Sequence, residues 1–217
     1  RTATFSAVMA ETSGKRFDAL LIDVVLPLVP GVLELLEHGI SVADVGCGLG
    51  LSTMIMAEAF PNSNFTGYDI HEPSVEEARR LAADRGLTNL SFEVAKAKEL
   101  PGSNWDLVTM FDCLHDMGDP VGIATHAKEQ LKPGGTVMLV EPFAHSDKVT
   151  NHGLPTAKML YGASTAICTP NSLSQDVGRA MGAQAGEPGM SAVFDEAGYS
   201  QFRRVAETPF NIVYEAR

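Results

Sequence analysis

The sequence predicts an α/β protein: a doubly wound sheet of seven strands, mostly parallel, with an antiparallel C-terminal hairpin strand. Three observations predict it. Short β-branched or aromatic runs alternate with amphipathic helical stretches from residue 40 to residue 141, the pattern of a parallel sheet covered by helices on both faces. The first strand ends in a glycine-rich turn, Gly46-Cys47-Gly48-Leu49-Gly50, that opens a helix. Only Thr208 and Pro209 separate the last two strand-like runs. A parallel crossover needs a dozen or more residues, so these two must pair antiparallel.

Each element follows from its residues. Phe5, Val8, Met9, Phe17, Leu20, Leu21, Val24, Val32, Leu35 and Leu36 recur at helical spacing, punctuated by Gly14, Pro27, Pro30 and Gly39. Residues 1–38 therefore read as a helical N-terminal segment of two or three short helices, and 39–217 as the main domain. Residues 40–45 form the first strand, and Leu51, Met54, Ile55 and Ala59 share one face of the helix that follows. Asn64 to Asp69 reads as a strand. Pro73 to Arg85 reads as a helix, with Glu76 and Glu77 early, Arg79, Arg80 and Arg85 late, and Gly86 as terminator. Leu90 to Ala95 and Trp105 to Phe111 are strands, His126 to Leu131 is helical up to Lys132-Pro133-Gly134-Gly135, and Thr136 to Glu141 is the fifth strand. Residues 142–189 break the alternation, with one helical stretch over 156–165 and loops around Pro170 and Pro188. So long an insertion reads as a lid or substrate wall. A helix over Ser191–Ala197 and strands near Phe202–Glu207 and Phe210–Glu215 complete the chain.

Composition narrows the function. Sixteen Lys and Arg against 27 Asp and Glu give a net charge of −11, which repels phosphate backbones, so no nucleic-acid partner is expected of this domain. No apolar run is long enough to span a membrane and no signal pattern opens the chain, so a cytoplasmic location is expected. Cys47, Cys113 and Cys168 are odd in number, with no CxxC pair. They read as free thiols, and this together with the lack of H-x-x-x-H or H-E-x-x-H spacing predicts no metal.

The glycine turn carries the most information. Glycines at 46, 48 and 50 allow a tight turn and close backbone approach to a ligand. Their spacing is G-x-G-x-G, with Leu51 where a dinucleotide fold needs its last glycine. Asp44 precedes the turn. It would repel a pyrophosphate but could orient the loop or attract an ammonium group, so the expected ligand is positively charged and lacks phosphates.

Asp44-Val45-Gly46-Cys47-Gly48-Leu49-Gly50 resembles the first motif of class I S-adenosylmethionine-dependent methyltransferases, which have a Rossmann-like fold. In that family an acid ends the second strand and binds both ribose hydroxyls; Asp69 stands there, followed by Ile70. A carboxylate offers two acceptors to two vicinal donors. The Leu131-Lys132-Pro133-Gly134-Gly135 stretch and the terminal hairpin also resemble the family. The resemblance implies S-adenosylmethionine as cofactor, with Asp44, Gly46, Cys47, Gly48, Gly50, Asp69, Ile70, Lys96, Ala97 and Asp112 at its site. One departure stands out: Lys96 replaces the acid that receives the adenine amino group in many members. Backbone near Lys96 and Ala97 and apolar walls must then hold the adenine. The runs 111–120, 160–170 and 207–211 further resemble actinobacterial methyltransferases that carry an N-terminal winged-helix domain. The start at Arg1 and the helices of residues 1–38 accordingly read as the tail of a linker from such a domain.

Methyl transfer from a sulfonium is an in-line displacement, so alignment supplies much of the acceleration and a base serves only acceptors that keep a proton. The candidate base is His115, just past the fourth strand and so on the rim, with Asp116 or Asp112 setting its tautomer; the alternative is that it caps the next segment. Asp112 otherwise lines the methionine end of the cofactor. Tyr161, Ser164 and Thr165 recur at helical spacing and either wall the acceptor with hydroxyls or pack on the sheet. Nucleobase and amide methylating enzymes show [DN]-P-P-[YF] after the fourth strand, where this chain reads Asp112-Cys113-Leu114-His115. The expected acceptor is therefore an oxygen or nitrogen of a small, hydrophobic metabolite. A non-catalytic domain sensing S-adenosylmethionine or a metabolite for a winged-helix regulator is the alternative from another class, and a nicotinamide oxidoreductase a third. A homodimer is one assembly open to the chain.

Overall fold

Val42, Ala43, Asp44 and Val45 are all buried, as a central strand of a doubly covered sheet requires. Ser41–Val45 (β1) lies between Asn64–Asp69 (β2) and Trp105–Phe111 (β4), parallel to both. Leu90–Val94 (β3) extends β2 in parallel. Leu131–Pro142 (β5) runs antiparallel to Asn211–Ala216 (β7), which pairs antiparallel with Phe202–Glu207 (β6). The seven strands are ordered β3-β2-β1-β4-β5-β7-β6. Strand order reverses at β1, the switch point where such sheets bind ligands.

This computed structural model describes residues 20–217; the expectations on Phe5, Val8, Met9 and Phe17 lie outside the described residues. Two compact units divide the chain: residues up to Phe111 with Gln130–Thr136, and Asp112–Glu129 with Val137–Arg217. Residues 20–38 are part of the first unit. They form a π turn (Leu21–Val25), a 3-10 turn (Leu26–Leu28) and helix Val32–His38 (α1), and they bury Leu21, Leu26 and Leu36 while exposing Val24 and Leu35. Helices Leu51–Ala59 (α2) and Glu72–Asp84 (α3) pack Met54, Val75 and Ala78 against Phe92. Lys132, expected to stop a helix, lies in β5 and pairs with Asp106 at 2.7 Å.

In the second unit, helix Pro120–Gln130 (α4) begins six residues before His126, with proline at its first position. Phe202 stacks between Phe194 and Tyr214, with ring centroids at 4.7 and 5.0 Å. The insertion is more helical than its composition suggests: Lys148–Asn151 (α5), Ala157–Ala163 (α6), a π turn Ser164–Cys168, and Thr169–Leu173 (α7). Pro170 and Pro188, expected in loops, lie in the first turns of α7 and of Gly186–Glu196 (α8). Proline lacks an N–H that the first turn does not use, so it starts a helix as readily as it ends one.

Candidate active site

In the first unit the glycine turn is held by its own amides. Gly46 and Cys47 N–H both donate to the Tyr68 carbonyl (2.8 and 3.0 Å), and Gly50 N–H donates to the Cys47 carbonyl (2.8 Å). Gly48 N–H donates to Asp69 Oδ2 and His71 N–H to Asp69 Oδ1, each at 2.8 Å. The amides of Gly46, Cys47, Gly48 and Gly50 are thus taken up by Tyr68, Asp69 and Cys47 and are not presented to a phosphate. Each Asp69 oxygen accepts one backbone bond and keeps a lone pair for a further donor, which fits a vicinal diol and so the ribose of S-adenosylmethionine.

The three glycines differ in purpose. Gly46, Gly48 and Gly50 all have positive φ. At Gly50 a Cβ would be driven into the Phe92 ring, so that glycine serves packing; at Gly48 a Cβ would meet nothing within 4 Å, leaving an open face. Cys47 is half-buried, and burial first, then Asp44 and Asp69, push its thiol well above the usual range.

Asp44 lies in the core, which favours the first of its two expected roles, orienting the loop. Its carboxylate is buried and accepts from Thr53 (2.6 Å), Ser52 (3.1 Å) and Thr109 (2.9 Å), tying α2 and β4 to β1. Burial pushes its pKa up to about 6 against those three hydroxyls. The expected role of attracting an ammonium group gives way to that of an anchor. Beside β2 and β3 a cleft of about 450 Å³ is lined by Ile70, Val94, Ala95, Lys96, Glu99 and Pro101. Ile70 and Lys96 are thus where the adenine side was expected, while Ala97 lies in the turn that follows. Lys96 Nζ lies 3.3 Å from Glu99 Oε1.

In the second unit His115 is buried, not on a rim. It sits in a 3-10 turn, Leu114–Asp116. Its Nδ1 lies 2.5 Å from Glu141 Oε2, and Leu114 N–H donates to Glu141 Oε1 at 2.9 Å. Its Nε2 lies 3.1 Å from Asp116 Oδ1. Burial disfavours the imidazolium, but Glu141, Asp116 and Cys168 outweigh it and hold His115 well above its usual pKa. Burial pushes Glu141 up against the pull of His115, whereas Asp116 is held below its usual value by His115 in spite of burial.

The carboxylates on the ring are therefore Asp116, one of the two expected there, and Glu141, not Asp112. Asp112, at φ +50°, donates its N–H to Val140 O (2.7 Å) and accepts at Oδ1 from Asn211 Nδ2 (2.6 Å). Sequence reasoning missed Glu141, Asn211 and the part of Cys168. A carboxylate at the end of the apolar run Val137-Met138-Leu139-Val140 was the available signal.

The three hydroxyl residues do not form one wall. Ser164 is buried and accepts from Ala183 N–H at 2.7 Å. Thr165 is exposed and donates to the Tyr161 carbonyl at 2.8 Å, and the Tyr161 ring meets His152 edge-on at 5.8 Å. The π turn that starts at Ser164 shifts the helical phase and turns its neighbours to opposite sides.

Residues 36–182 match the model of a family described as a methyltransferase domain. The ubiquinone biosynthesis O-methyltransferase of Leptothrix cholodnii is 31% identical over 46% of this chain and 43% of its own length. Aklanonic acid methyltransferase DauC of Streptomyces sp. strain C5 is 29% identical over 61% of this chain and 62% of its own. The chain thus spans less than two thirds of these relatives. An O-methyltransferase family protein from Burkholderia thailandensis shares the fold, with a TM-score of 0.67 at 18% identity over 98% of this chain and 58% of that one. Because the family match covers more than half of the sequence, and the seven-stranded sheet agrees with it, the chain belongs to the class I S-adenosylmethionine-dependent methyltransferases.

Proposed function

We propose that this chain methylates an oxygen or nitrogen of a small, hydrophobic metabolite. The observation that carries the reading is Asp69, fixed by the Gly48 and His71 amides with acceptor capacity left on both oxygens. When bound, S-adenosylmethionine supplies an electrophilic methyl group on sulfur. Asp69 receives the ribose hydroxyls, Gly48 leaves its open face to the donor, and Ile70, Ala97 and the Lys96 stem bound the adenine. Asp112, locked by Asn211, is assigned to the methionine end.

The His115–Asp116 pair takes the acceptor's proton as the new bond to the methyl group forms. Asp116, with its side chain a quarter exposed, is the member that an acceptor can reach. His115, backed by Glu141, holds that carboxylate in position. Tyr161 is retained as a wall of the acceptor site, and Ser164 and Thr165 shape the helix that carries it. The odd number and wide spacing of Cys47, Cys113 and Cys168 support a reducing, cytoplasmic setting; no helix among the described residues is long and apolar enough to cross a membrane. The acidic balance disfavours a nucleic-acid acceptor.

Titration calorimetry with S-adenosylmethionine and S-adenosylhomocysteine tests the donor half, and no heat at millimolar ligand overturns it. A panel of phenols, alcohols and amines tests the rest. Methylation that is lost in Asp116→Asn while donor binding persists supports the assigned proton path; full activity in that variant removes it.

A further inference from the structure

One imidazole nitrogen of His115, one carboxylate oxygen of Asp116 and Cys168 Sγ lie within 4.8 Å of one another, and His115 Nε2 is 3.1 Å from Asp116 Oδ1. His115 and Cys168 are buried, and Asp116 opens the group toward solvent. Asp116 Oδ1 is itself buried without an aligned hydrogen-bond donor, although Nε2 is 3.1 Å away. Two nitrogen or oxygen ligands about 2.0–2.1 Å from a tetrahedral ion sit about 3.4 Å apart, so this pair already stands near ligand spacing.

The surroundings point the same way. Glu141 holds Nδ1 at 2.5 Å, which leaves Nε2 as the ligating nitrogen and fixes the ring plane. A carboxylate behind a ligating histidine is the usual outer support of a metal site. The segment after Cys168 is clamped to the turn that carries His115 and Asp116. Ser172 Oγ donates to Met117 O at 2.9 Å, Asn171 Nδ2 to Asp116 O at 3.2 Å, and Gly118 N–H to Gln175 Oε1 at 3.0 Å. The thiol is thereby held beside the other two donors although it lies far from them in sequence.

We propose that His115, Asp116 and Cys168 form a binding site for one borderline-soft divalent cation, Zn²⁺ or its like, with a fourth position open to water or a ligand oxygen. A thiolate, an imidazole and one carboxylate suit Zn²⁺ and disfavour Mg²⁺ and Ca²⁺, which take oxygen ligands. The ion takes the place of the proton between Nε2 and Oδ1, and its binding releases the Cys168 thiol proton as well. The site requires no methyl donor.

Cobalt(II) added to the metal-free chain is the probe. We expect a thiolate-to-cobalt charge-transfer band in the near ultraviolet and strong visible bands of a tetrahedral ion, saturating at one ion per chain and abolished by Zn²⁺. Cys168→Ser removes the charge-transfer band, whereas Cys47→Ser and Cys113→Ser retain it. Glu141→Gln weakens cobalt binding roughly 10- to 100-fold. Should Cys168→Ser fail to fold, Asp116→Asn, at a part-exposed position, must weaken binding about tenfold or more. Absence of the band in the wild-type chain, or its survival in Cys168→Ser, overturns the site. Calorimetry with S-adenosylmethionine on the same sample keeps the two readings apart, because donor binding without cobalt bands removes the metal site alone.

Discussion

The donor-side turn of the first unit and the ionic cluster of the second place polar groups under very different conditions. Around Asp69 the partners are backbone amides of residues 48 and 71, 21 and 2 residues away, and the carboxylate stays part-exposed with spare acceptor capacity. Around His115 the partners are side chains, those of the adjacent Asp116 and of Glu141 and Cys168, 26 or more residues away, and Glu141 and Cys168 are buried. A half-solvated acid can be replaced at the expense of ligand binding alone. A buried ion pair cannot lose one member without leaving the other uncompensated. The comparison teaches that function at the first region is separable from stability, whereas at the second the two are bound together.

The largest expected effect tests the second region. Glu141→Ala leaves the His115 ring and the Leu114 N–H without their partner and should lower unfolding free energy by about 3–5 kcal/mol in urea denaturation. A loss below about 1 kcal/mol would show that water replaces the carboxylate.

Asp44 gives the next effect, because it is buried like Glu141 but solvated only by hydroxyls. Its pKa rises from 3.8 to about 6 on folding, so the native state binds this proton more tightly than the unfolded chain. Stability is then greatest below about pH 4 for this group and is lost as pH rises through 6, by ~3 kcal/mol in all. Asp44→Asn should remove that slope. Unfolding measured from pH 4 to 7 in both proteins checks it, and parallel curves would refute the buried carboxylate.

At the first region, Asp69→Ala should weaken donor binding by roughly 1.5–3 kcal/mol, read by calorimetry, with little change in the unfolding midpoint. A large drop in stability instead would erase the contrast between the regions. The smallest effect is Gly48→Ala, which pays only for a positive φ, about 1 kcal/mol. Gly50→Ala must cost more, because its Cβ also meets Phe92.

Much of the fold was legible in the sequence for a physical reason: strand and helix periods are local. β2, β4 and β6 run over the residues that alternation predicted, Asn64–Asp69, Trp105–Phe111 and Phe202–Glu207, and the hairpin followed from the two residues Thr208 and Pro209. Where composition misled, the cause was local ambiguity. Pro170 and Pro188 can begin a helix or interrupt one, and residue content alone does not decide which. The same holds for the site. Asp69 and Gly48 were legible because a strand end and a glycine turn are contiguous signals. His115 and its neighbour Asp116 were found, but the burial of His115 and its bond to Glu141 were not.

By itself the sequence determined the α/β class, the spans of β2, β4 and β6, the glycine turn with the acid that ends β2, and a resemblance to the class I methyltransferases that the family match supports. Only the tertiary structure decided that Glu141 joins Asp116 at His115, that Asp44 is buried among three hydroxyls, and that Cys168 stands beside His115 and Asp116. Periodicity and turn chemistry act between neighbours in the chain and can be read there. Burial and ion pairing act between neighbours in space, and no spacing rule along the chain reports them.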